Sequence, residues 1–182
     1  MASTIFITGA TGLIGQELCR RLAADGHSLR AWVRSPAAAA KKLGPKVELF
    51  DTGGGAEKML AGITGADAVI HLAGEPVFRR RWNPEVKRSL VASRVDLTKQ
   101  IVHAIEQLST KPRVFISGSA VGYYGMRGDE IIDESGEPGD DFFGDLCQQW
   151  EAAAAPAATL GVRLVCMRIG IVLAPSGGAL EE

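Results

Sequence analysis

The sequence predicts an α/β protein built on a doubly wound parallel sheet. Short runs rich in β-branched residues alternate with longer amphipathic runs, a pattern typical of strands and helices that alternate along the chain. The short runs are apolar almost throughout, as expected for strands covered by helices on both faces. A glycine-rich turn follows the first short run directly. Right-handed crossovers between successive strands then predict the strand order 3-2-1-4-5-6.

Strand and helix positions follow from these runs and from the glycine and proline residues that end them. Gly26 ends the first helix, and Pro156 must bend or end the last one because proline lacks a backbone donor. The predicted strands are Thr4–Thr8, Leu29–Val33, Val47–Phe50, Ala68–Leu72, Val114–Ser117 and Arg163–Arg168. The predicted helices are Leu13–Ala24, Ala37–Leu43, Glu57–Ala61, a long helix from Pro84 to about Leu108, and a helix capped by Asp141.

Composition excludes several classes of protein. The 182 residues suit one domain, and the net charge of −1 gives no reason to expect nucleic acid or an anionic membrane as a partner. No segment approaches the ~20 apolar residues of a membrane helix. The three cysteines are widely spaced, which favours a reduced cytoplasmic location. The three histidines (His27, His71 and His103) have no partner at metal-ligand spacing, so we predict no metal site.

The glycine-rich turn predicts a dinucleotide-binding site. In "IFITGATGLIGQEL" a strand leads directly into three glycines, and a helix follows them. Gly9 can form the tight turn, Gly12 lets backbone N–H groups approach a pyrophosphate, and Gly15 lets the helix pack closely on the sheet. The helix N-terminus offers free N–H donors and the positive end of its dipole to phosphates. The predicted phosphate-binding residues are Gly9, Thr11, Gly12, Leu13, Ile14 and Gly15.

The end of the second strand indicates which dinucleotide binds. Enzymes that use NAD usually carry an acidic residue about 20 positions after the glycines, where it binds the ribose 2′-hydroxyl. Here Arg34 lies 19 positions after Gly15, and no Asp or Glu occupies that end of the strand. A guanidinium pairs well with a 2′-phosphate. The sequence therefore predicts NADP rather than NAD.

Several motifs together resemble those of the extended short-chain dehydrogenase/reductase superfamily. The segments "TGATGLIG", "DAVIHLAG" and "FISGSAVGYYG" carry the first part of this resemblance. Further segments, "RRWNPEVKRSLVASRVDLT", "DESGEPGDDFFGDLCQQWEAAA" and "RIGIVLAPSGGAL", resemble the atypical branch called the epimerase family. The resemblance implies a Rossmann fold and an activity of the oxidoreductase or epimerase type. It also implies pairing into a homodimer through Asn83–Leu108 and Asp145–Ala155.

The resemblance also implies roles for individual residues. Asp51 would lie near adenine, and Ser119 would occupy the position of the catalytic serine. Members of this branch are longer, so residues 1–175 are expected to form the NADP-binding domain and residues 176–182 to begin a truncated substrate-binding part. Leu72, Ala73 and Gly74 would end the fourth strand beside the cofactor. The residues implied at the nicotinamide are Ser117, Gly118, Ile169 and Gly170.

One part of the superfamily pattern is missing. The superfamily carries Tyr-x-x-x-Lys, in which tyrosine is the general acid/base while lysine lowers its pKa and holds the ribose. By position these residues correspond to Phe143 and Cys147, and neither can do that work. Three explanations stay open. Tyr123 or Tyr124 could supply the acid/base group, Cys147 could itself be reactive, or the protein could bind NADP without catalysis.

Two functions remain as hypotheses. The first is an NADP-dependent oxidoreductase or epimerase that acts on a small sugar-like or carbonyl substrate, with Ser119 and Tyr124 or Tyr123 at the reacting oxygen. The second is a non-catalytic NADP-binding sensor or scaffold. The basic segment "FRRRWNPEVKR" (Arg79, Arg80, Arg81, Lys87 and Arg88) could accept an anionic group of a substrate.

Overall fold

A parallel sheet organises residues 2–77, 81–174 and 177–178, which are those that the computed structural model describes. Its six strands have the order β3-β2-β1-β4-β5-β6, which confirms the predicted doubly wound topology. The strands are β1 (Thr4–Thr8), β2 (Ser28–Val33), β3 (Val47–Asp51), β4 (Ala68–His71), β5 (Val114–Ala120) and β6 (Arg163–Ile169). Two short strands, β7 (Leu173–Ala174) and β8 (Gly177–Gly178), form a separate antiparallel pair.

Helices cover both faces of the sheet, and several begin at side chains that accept hydrogen bonds from the first turn. Asp141 accepts from the amides of Phe143 and Gly144, as its capping position in the sequence predicts. The helices are α1 (Leu13–Ala24), α2 (Pro36–Leu43), α3 (Gly55–Ile63), α4 (Pro84–Val91), α5 (Leu97–Gln107), α6 (Phe142–Ala154) and α7 (Pro156–Thr159).

The long helix predicted from Pro84 to about Leu108 is interrupted in the structure. A π-helical turn at Ala92–Asp96 separates α4 from α5. The hydroxyl of Thr98 donates to the carbonyl of Arg94 at 2.7 Å, within the widened turn. Such turns insert one extra residue and frequently accompany functional sites. From this turn the Arg94 side chain donates a hydrogen bond to the carbonyl of Glu75, in the segment after β4.

Strand β5 also runs three residues beyond its predicted end at Ser117. All seven of its residues pair with β6, and the last pair joins Ala120 to Ile169. Gly118 and Ser119 are therefore strand residues with fixed directions rather than residues of a loop. The register places Ser119 directly beside Arg168.

One face of the sheet carries the larger core and, at its edge, a row of polar residues. Phe6, Val69 and Phe115 are fully buried against α3, α5 and α6. Side chains alternate along a strand, so the residues two positions further along point to the same face. Those residues are Thr8, His71 and Ser117, with Ser119 beyond them, and all four are buried. The polar row lies at the carboxyl ends of β1, β4 and β5, where α/β proteins bind ligands.

Candidate cofactor-binding and active site

The glycine loop after β1 packs directly against the end of β4. Gly9 has φ +73°, and a Cβ added there would lie 2.6 Å from the carbonyl carbon of Leu72 and 2.7 Å from the nitrogen of Ala73. A Cβ added at Gly15 would collide with the carbonyl oxygen of Gly9. Both positions therefore require glycine, and the loop is held against Leu72 and Ala73, two of the residues expected beside the cofactor.

The N-terminus of α1 is open to an anion. Its N-cap residue is Gly12, which has an extended conformation and no side chain with which to cap the helix. The first turn contains no acidic residue either. The backbone amides of Leu13, Ile14 and Gly15 at the start of this 12-residue helix thus remain available to a ligand, at the positive end of the helix dipole.

A cavity of about 160 Å³ lies beside the glycine loop at the end of β2. Arg34 lines it, as does Thr11 from the loop. Lys42, from the last turn of α2, brings a second cation that the sequence analysis did not single out. The sequence did contain a clue to Lys42, because this residue lies near the end of the short helix that follows the second predicted strand. The complete lining is Thr11, Val33, Arg34, Ser35, Ala38, Ala39 and Lys42.

His71 is a fully buried member of the polar row. Its Nδ1 shares a hydrogen bond of 2.6 Å with Oγ1 of Thr8, which also accepts from the amide of Ala73. Its Nε2 has no hydrogen-bond partner among the described residues. Burial lowers the pKa of His71 to about 4, and the nearby Arg94 charge lowers it further against the raising effect of the Arg94 carbonyl. The ring is therefore neutral at physiological pH and fixes the end of β4 relative to β1.

The buried histidine predicts a pH dependence of stability. Its folded pKa lies below the unfolded value of about 6.5, so the unfolded chain binds the extra proton between those values. We expect this residue to remove about 3 kcal/mol from the free energy of unfolding as pH falls from 7 to 4. In urea unfolding across that pH range, the free energy of unfolding of His71→Gln should fall less than that of the wild type. Equal pH dependence of the free energy of unfolding in the wild type and in His71→Gln would contradict the assignment.

A second polar network joins Ser119 to Tyr124 through an ion pair. Ser119 Oγ donates to Oε1 of Glu151 at 2.6 Å. Arg168 donates to both carboxylate oxygens of Glu151, at 2.9 and 3.0 Å, and its Nη1 donates to Oη of Tyr124 at 2.8 Å. Its guanidinium also stacks on the ring of Tyr123, 3.5 Å from the centroid. The three predicted catalytic residues therefore meet around one arginine.

The electrostatics of this network depend on the Glu151–Arg168 pair. Each of the two side chains is 18 % exposed. Burial alone would raise the pKa of Glu151, but the hydrogen bonds from Arg168 and Ser119 hold it below its ordinary value. Glu151 is therefore a carboxylate that accepts a hydrogen bond from the Ser119 hydroxyl. Sequence reasoning missed both residues, although Arg168 is Ser119's neighbour once the strands are paired in register.

The positions that correspond to Tyr-x-x-x-Lys hold no acid/base pair. Phe143 packs edge-on against Trp82, with ring centroids 5.0 Å apart. Cys147 is 3 % exposed, and burial raises the pKa of its thiol. A buried, protonated thiol is a poor nucleophile. The geometry therefore disfavours Cys147 as the reactive group.

The remaining predicted residues fall at the ends of β3, β4, β5 and β6. Asp51 ends β3, and its carboxylate accepts from the amide of Gly53. Gly118 lies against Trp150, and Gly170 follows β6 near Val121. In the basic segment, Arg79 and Arg80 lie outside the described residues, while Arg81, Lys87 and Arg88 are exposed.

Among residues 2–77, 81–174 and 177–178, no three His, Cys, Asp or Glu side chains are grouped as ligands of a metal ion. None of the helices within those ranges combines the length and the apolar composition that a membrane span needs.

Comparison with known proteins gives a consistent result. Residues 5–176 match the model of the NAD dependent epimerase/dehydratase family. The chain is 36 % identical to the chloroplastic SDR39U1 homologue of Arabidopsis thaliana, an epimerase family protein, over 97 % of this chain and 51 % of that protein. It thus spans about half the length of this relative.

Solved structures give the same picture. The crystal structure of human epimerase family protein SDR39U1 with NADPH superposes with a TM-score of 0.81 at 32 % identity, covering 98 % of this chain and 57 % of the human one. A nucleoside-diphosphate sugar epimerase from Corynebacterium glutamicum gives a TM-score of 0.79 at 36 % identity, covering 100 % and 36 % of the two chains. Sequence motifs, strand order and these comparisons agree: the chain belongs to the NAD-dependent epimerase/dehydratase family.

Proposed function

We propose that this chain binds NADP(H) and acts as an oxidoreductase or epimerase on a small sugar-like or carbonyl substrate. The observation that carries the proposal is the open N-terminus of α1 beside a cavity lined by two cations, Arg34 and Lys42. Human SDR39U1, a relative with 32 % identity, crystallised with NADPH. When bound, the cofactor supplies or accepts a hydride at its nicotinamide ring.

The residues present fit this cofactor. Gly9 lets the loop pack against the segment after β4, Gly15 lets α1 pack against the loop, and the amides of the first turn of α1 suit a pyrophosphate. Arg34, Lys42 and the Ser35 hydroxyl suit the 2′-phosphate. The remaining residues assigned to the cofactor are Thr11, Gly12, Leu13 and Ile14 in the loop, Asp51 at the adenine, and Leu72–Gly74, Ser117, Gly118, Ile169 and Gly170 on the nicotinamide side.

The two cations predict cofactor selectivity. Replacing Arg34 or Lys42 with leucine should weaken NADPH binding by roughly tenfold or more, because a charge-assisted hydrogen bond contributes about 1.5–3 kcal/mol. Binding of NADH, which lacks the 2′-phosphate, should change little. Lys41→Leu is the matched control, since Lys41 is on the same helix but does not line the cavity. Calorimetric titration with both cofactors measures the difference, and equal losses for NADPH and NADH would count against the assignment.

We assign the acid/base chemistry to Tyr124, supported by its contact with Arg168. The phenol oxygen accepts a guanidinium N–H, so its own proton is free for a substrate oxygen. The same guanidinium offsets the negative charge that develops as the proton leaves. Ser119 is the second group at the reacting oxygen: its proton is donated in a hydrogen bond to Glu151, so its oxygen can accept a hydrogen bond from a substrate hydroxyl. Tyr123 supports Arg168 through its ring.

Turnover tests this assignment. With NADPH absorbance followed against a panel of small carbonyl substrates, Tyr124→Phe and Ser119→Ala should each lower kcat by roughly 10²–10⁴, the usual contribution of general acid–base catalysis. NADPH affinity should stay close to that of the wild type. Tyr123→Phe keeps the ring that stacks on Arg168 and should retain wild-type turnover; a loss confined to Tyr123→Phe would assign the acid/base role to Tyr123 instead. Wild-type rates in Tyr124→Phe and Ser119→Ala would show that neither residue is catalytic.

A non-catalytic NADP-binding sensor or scaffold is the second candidate. Phe143 and Cys147 favour it, because they replace the usual pair with side chains that exchange no proton near neutral pH. Tight NADPH binding without turnover of any substrate in the panel would favour this function. Under either function we place the protein in the cytoplasm, on the basis of its unpaired cysteines Cys19, Cys147 and Cys166.

A further inference from the structure

Arg94 is a largely buried cation near the position where the superfamily carries its lysine. It lies in the π-helical turn between α4 and α5. Burial raises the pKa of the Cys147 thiol, and the Arg94 charge opposes that effect in part. The thiol at position 147 and the guanidinium of Arg94 therefore share one electrostatic environment.

The guanidinium of Arg94 lies between the ends of β4 and β5. A Cβ added at Gly74 would lie 3.1 Å from its Cζ, and its Nη2 donates to the carbonyl of Glu75 at 3.0 Å. On the other side it lies over the ring of Trp150, 5.3 Å from the centroid. The same indole contacts Gly118 near the end of β5. Both strand ends belong to the nicotinamide side of the proposed cofactor cleft.

Arg94 makes no direct ion pair with a carboxylate within the described part of the chain, although the charge of the nearby Glu75 acts to raise the pKa of Arg94 against the lowering effect of burial. Its hydrogen bonds there go to neutral acceptors: the carbonyls of Leu90 and Glu75 and the hydroxyl of Ser93. These bonds use Nη1 and Nη2, and Nε donates to none of the described residues. Burying a cation without a carboxylate in direct contact is costly. An anionic or hydroxyl-rich ligand bound beside Gly74 would offset that cost.

We infer that Arg94 supplies, from the turn after α4, the positive charge for the nicotinamide half of NADP(H) that a lysine at position 147 would otherwise supply. This inference rests on the proposed binding of NADP(H). Its expected partners are the ribose hydroxyls and the phosphate of that half of the cofactor. A lysine at 147 would add a second cation to the same poorly solvated space, where like charges repel strongly. A small neutral residue at position 147 is thus what an arginine at position 94 requires, because it adds no second positive charge nearby.

Two ligands allow binding of the two halves of the cofactor to be measured separately. 2′,5′-ADP carries the adenosine half alone, whereas NADPH also carries the nicotinamide half. Arg94→Leu should lower NADPH affinity by roughly tenfold or more, the effect of losing a charge-assisted hydrogen bond, and leave 2′,5′-ADP affinity within about twofold. Arg94→Lys should retain most of the NADPH affinity. Lys99→Leu, which removes an exposed cation on α5, is the control and should bind both ligands like the wild type.

A double variant distinguishes charge from packing. Adding Cys147→Lys to Arg94→Leu returns a cation to the same space from α6, and NADPH affinity should recover while 2′,5′-ADP affinity stays constant. Unchanged NADPH affinity in Arg94→Leu would overturn the inference. So would equal losses of both ligands in Arg94→Leu and Arg94→Lys, because a loss shared with the adenosine half indicates a damaged fold. If the wild-type chain bound neither ligand, the proposed function itself would fail, and the inference with it.

Discussion

Gly9→Ala should reduce the free energy of unfolding by about 3 kcal/mol or more. Alanine must adopt a positive φ there, which costs about 1–3 kcal/mol, and its methyl group must displace the backbone of β4, since overpacking costs about 1–3 kcal/mol. The added Cβ would meet the Leu72 carbonyl carbon at 2.6 Å and the Ala73 nitrogen at 2.7 Å. Backbone atoms at the end of a central strand cannot move aside as a flexible side chain can. Urea unfolding measures the loss.

Gly26→Ala is the matched control for this prediction. Gly26 also has a positive φ, +86°, but an added Cβ would meet nothing within 4 Å. It should therefore cost only the conformational part, about 1–2 kcal/mol. NADPH affinity should fall in Gly9→Ala and stay at the wild-type level in Gly26→Ala. Equal destabilisation by the two substitutions would show that the close contact between the glycine loop and β4 is absent.

Arg168→Leu should destabilise the chain by about 2–3 kcal/mol, because it leaves the Glu151 carboxylate poorly solvated and without its cation. Loss of one partner of a buried pair costs about 3–5 kcal/mol, and the 18 % exposure of each side chain reduces that figure. Replacing both Arg168 and Glu151 with leucine should cost less than the single change, since no charge is then stranded. Arg168→Leu should also lower turnover through its loss of contact with Tyr124.

The pH dependence gives this second prediction its sign. The folded pKa of Glu151 is held below the ordinary value, so the contribution of the pair is complete above that ordinary value and is lost as pH falls through the folded pKa. The difference in the free energy of unfolding between the wild type and Arg168→Leu should therefore become smaller as pH falls below about 4.5. Arg20→Leu breaks the exposed pair with Glu17 and should change stability far less than Arg168→Leu does, because water screens an exposed ion pair. A similar loss in both variants would contradict the buried character of the Arg168 pair.

The strand order was predictable from sequence because each element carries its own local signal. Apolar runs, the glycines after β1 and the Asp141 cap are each readable within a few residues. The π-helical turn was missed, although its signal is present: the buried Leu90 and Val95 are five positions apart instead of three or four. Val91 conceals the shift, because it lies at the ordinary spacing of four from Val95.

The two ends of the site differ in how far sequence can predict them. The phosphate-binding end is local, since the glycine loop and Arg34 each follow directly from one strand. The Ser119 network is not local: Tyr124 and Arg168 are 44 positions apart, and Ser119 and Glu151 are 32 positions apart. Only the pairing of β5 with β6 and the packing of α6 bring these residues together. A single sequence contains no short motif for such a network.

Titration of the 182-residue chain with NADPH and with NADH tests the central claim most directly. The open helix end and the cavity between Arg34 and Lys42 predict that NADPH binds at least roughly tenfold more tightly, as one or two charge-assisted hydrogen bonds to a 2′-phosphate should produce. An absence of binding heat with NADPH, or the same dissociation constant for both cofactors, would contradict the account.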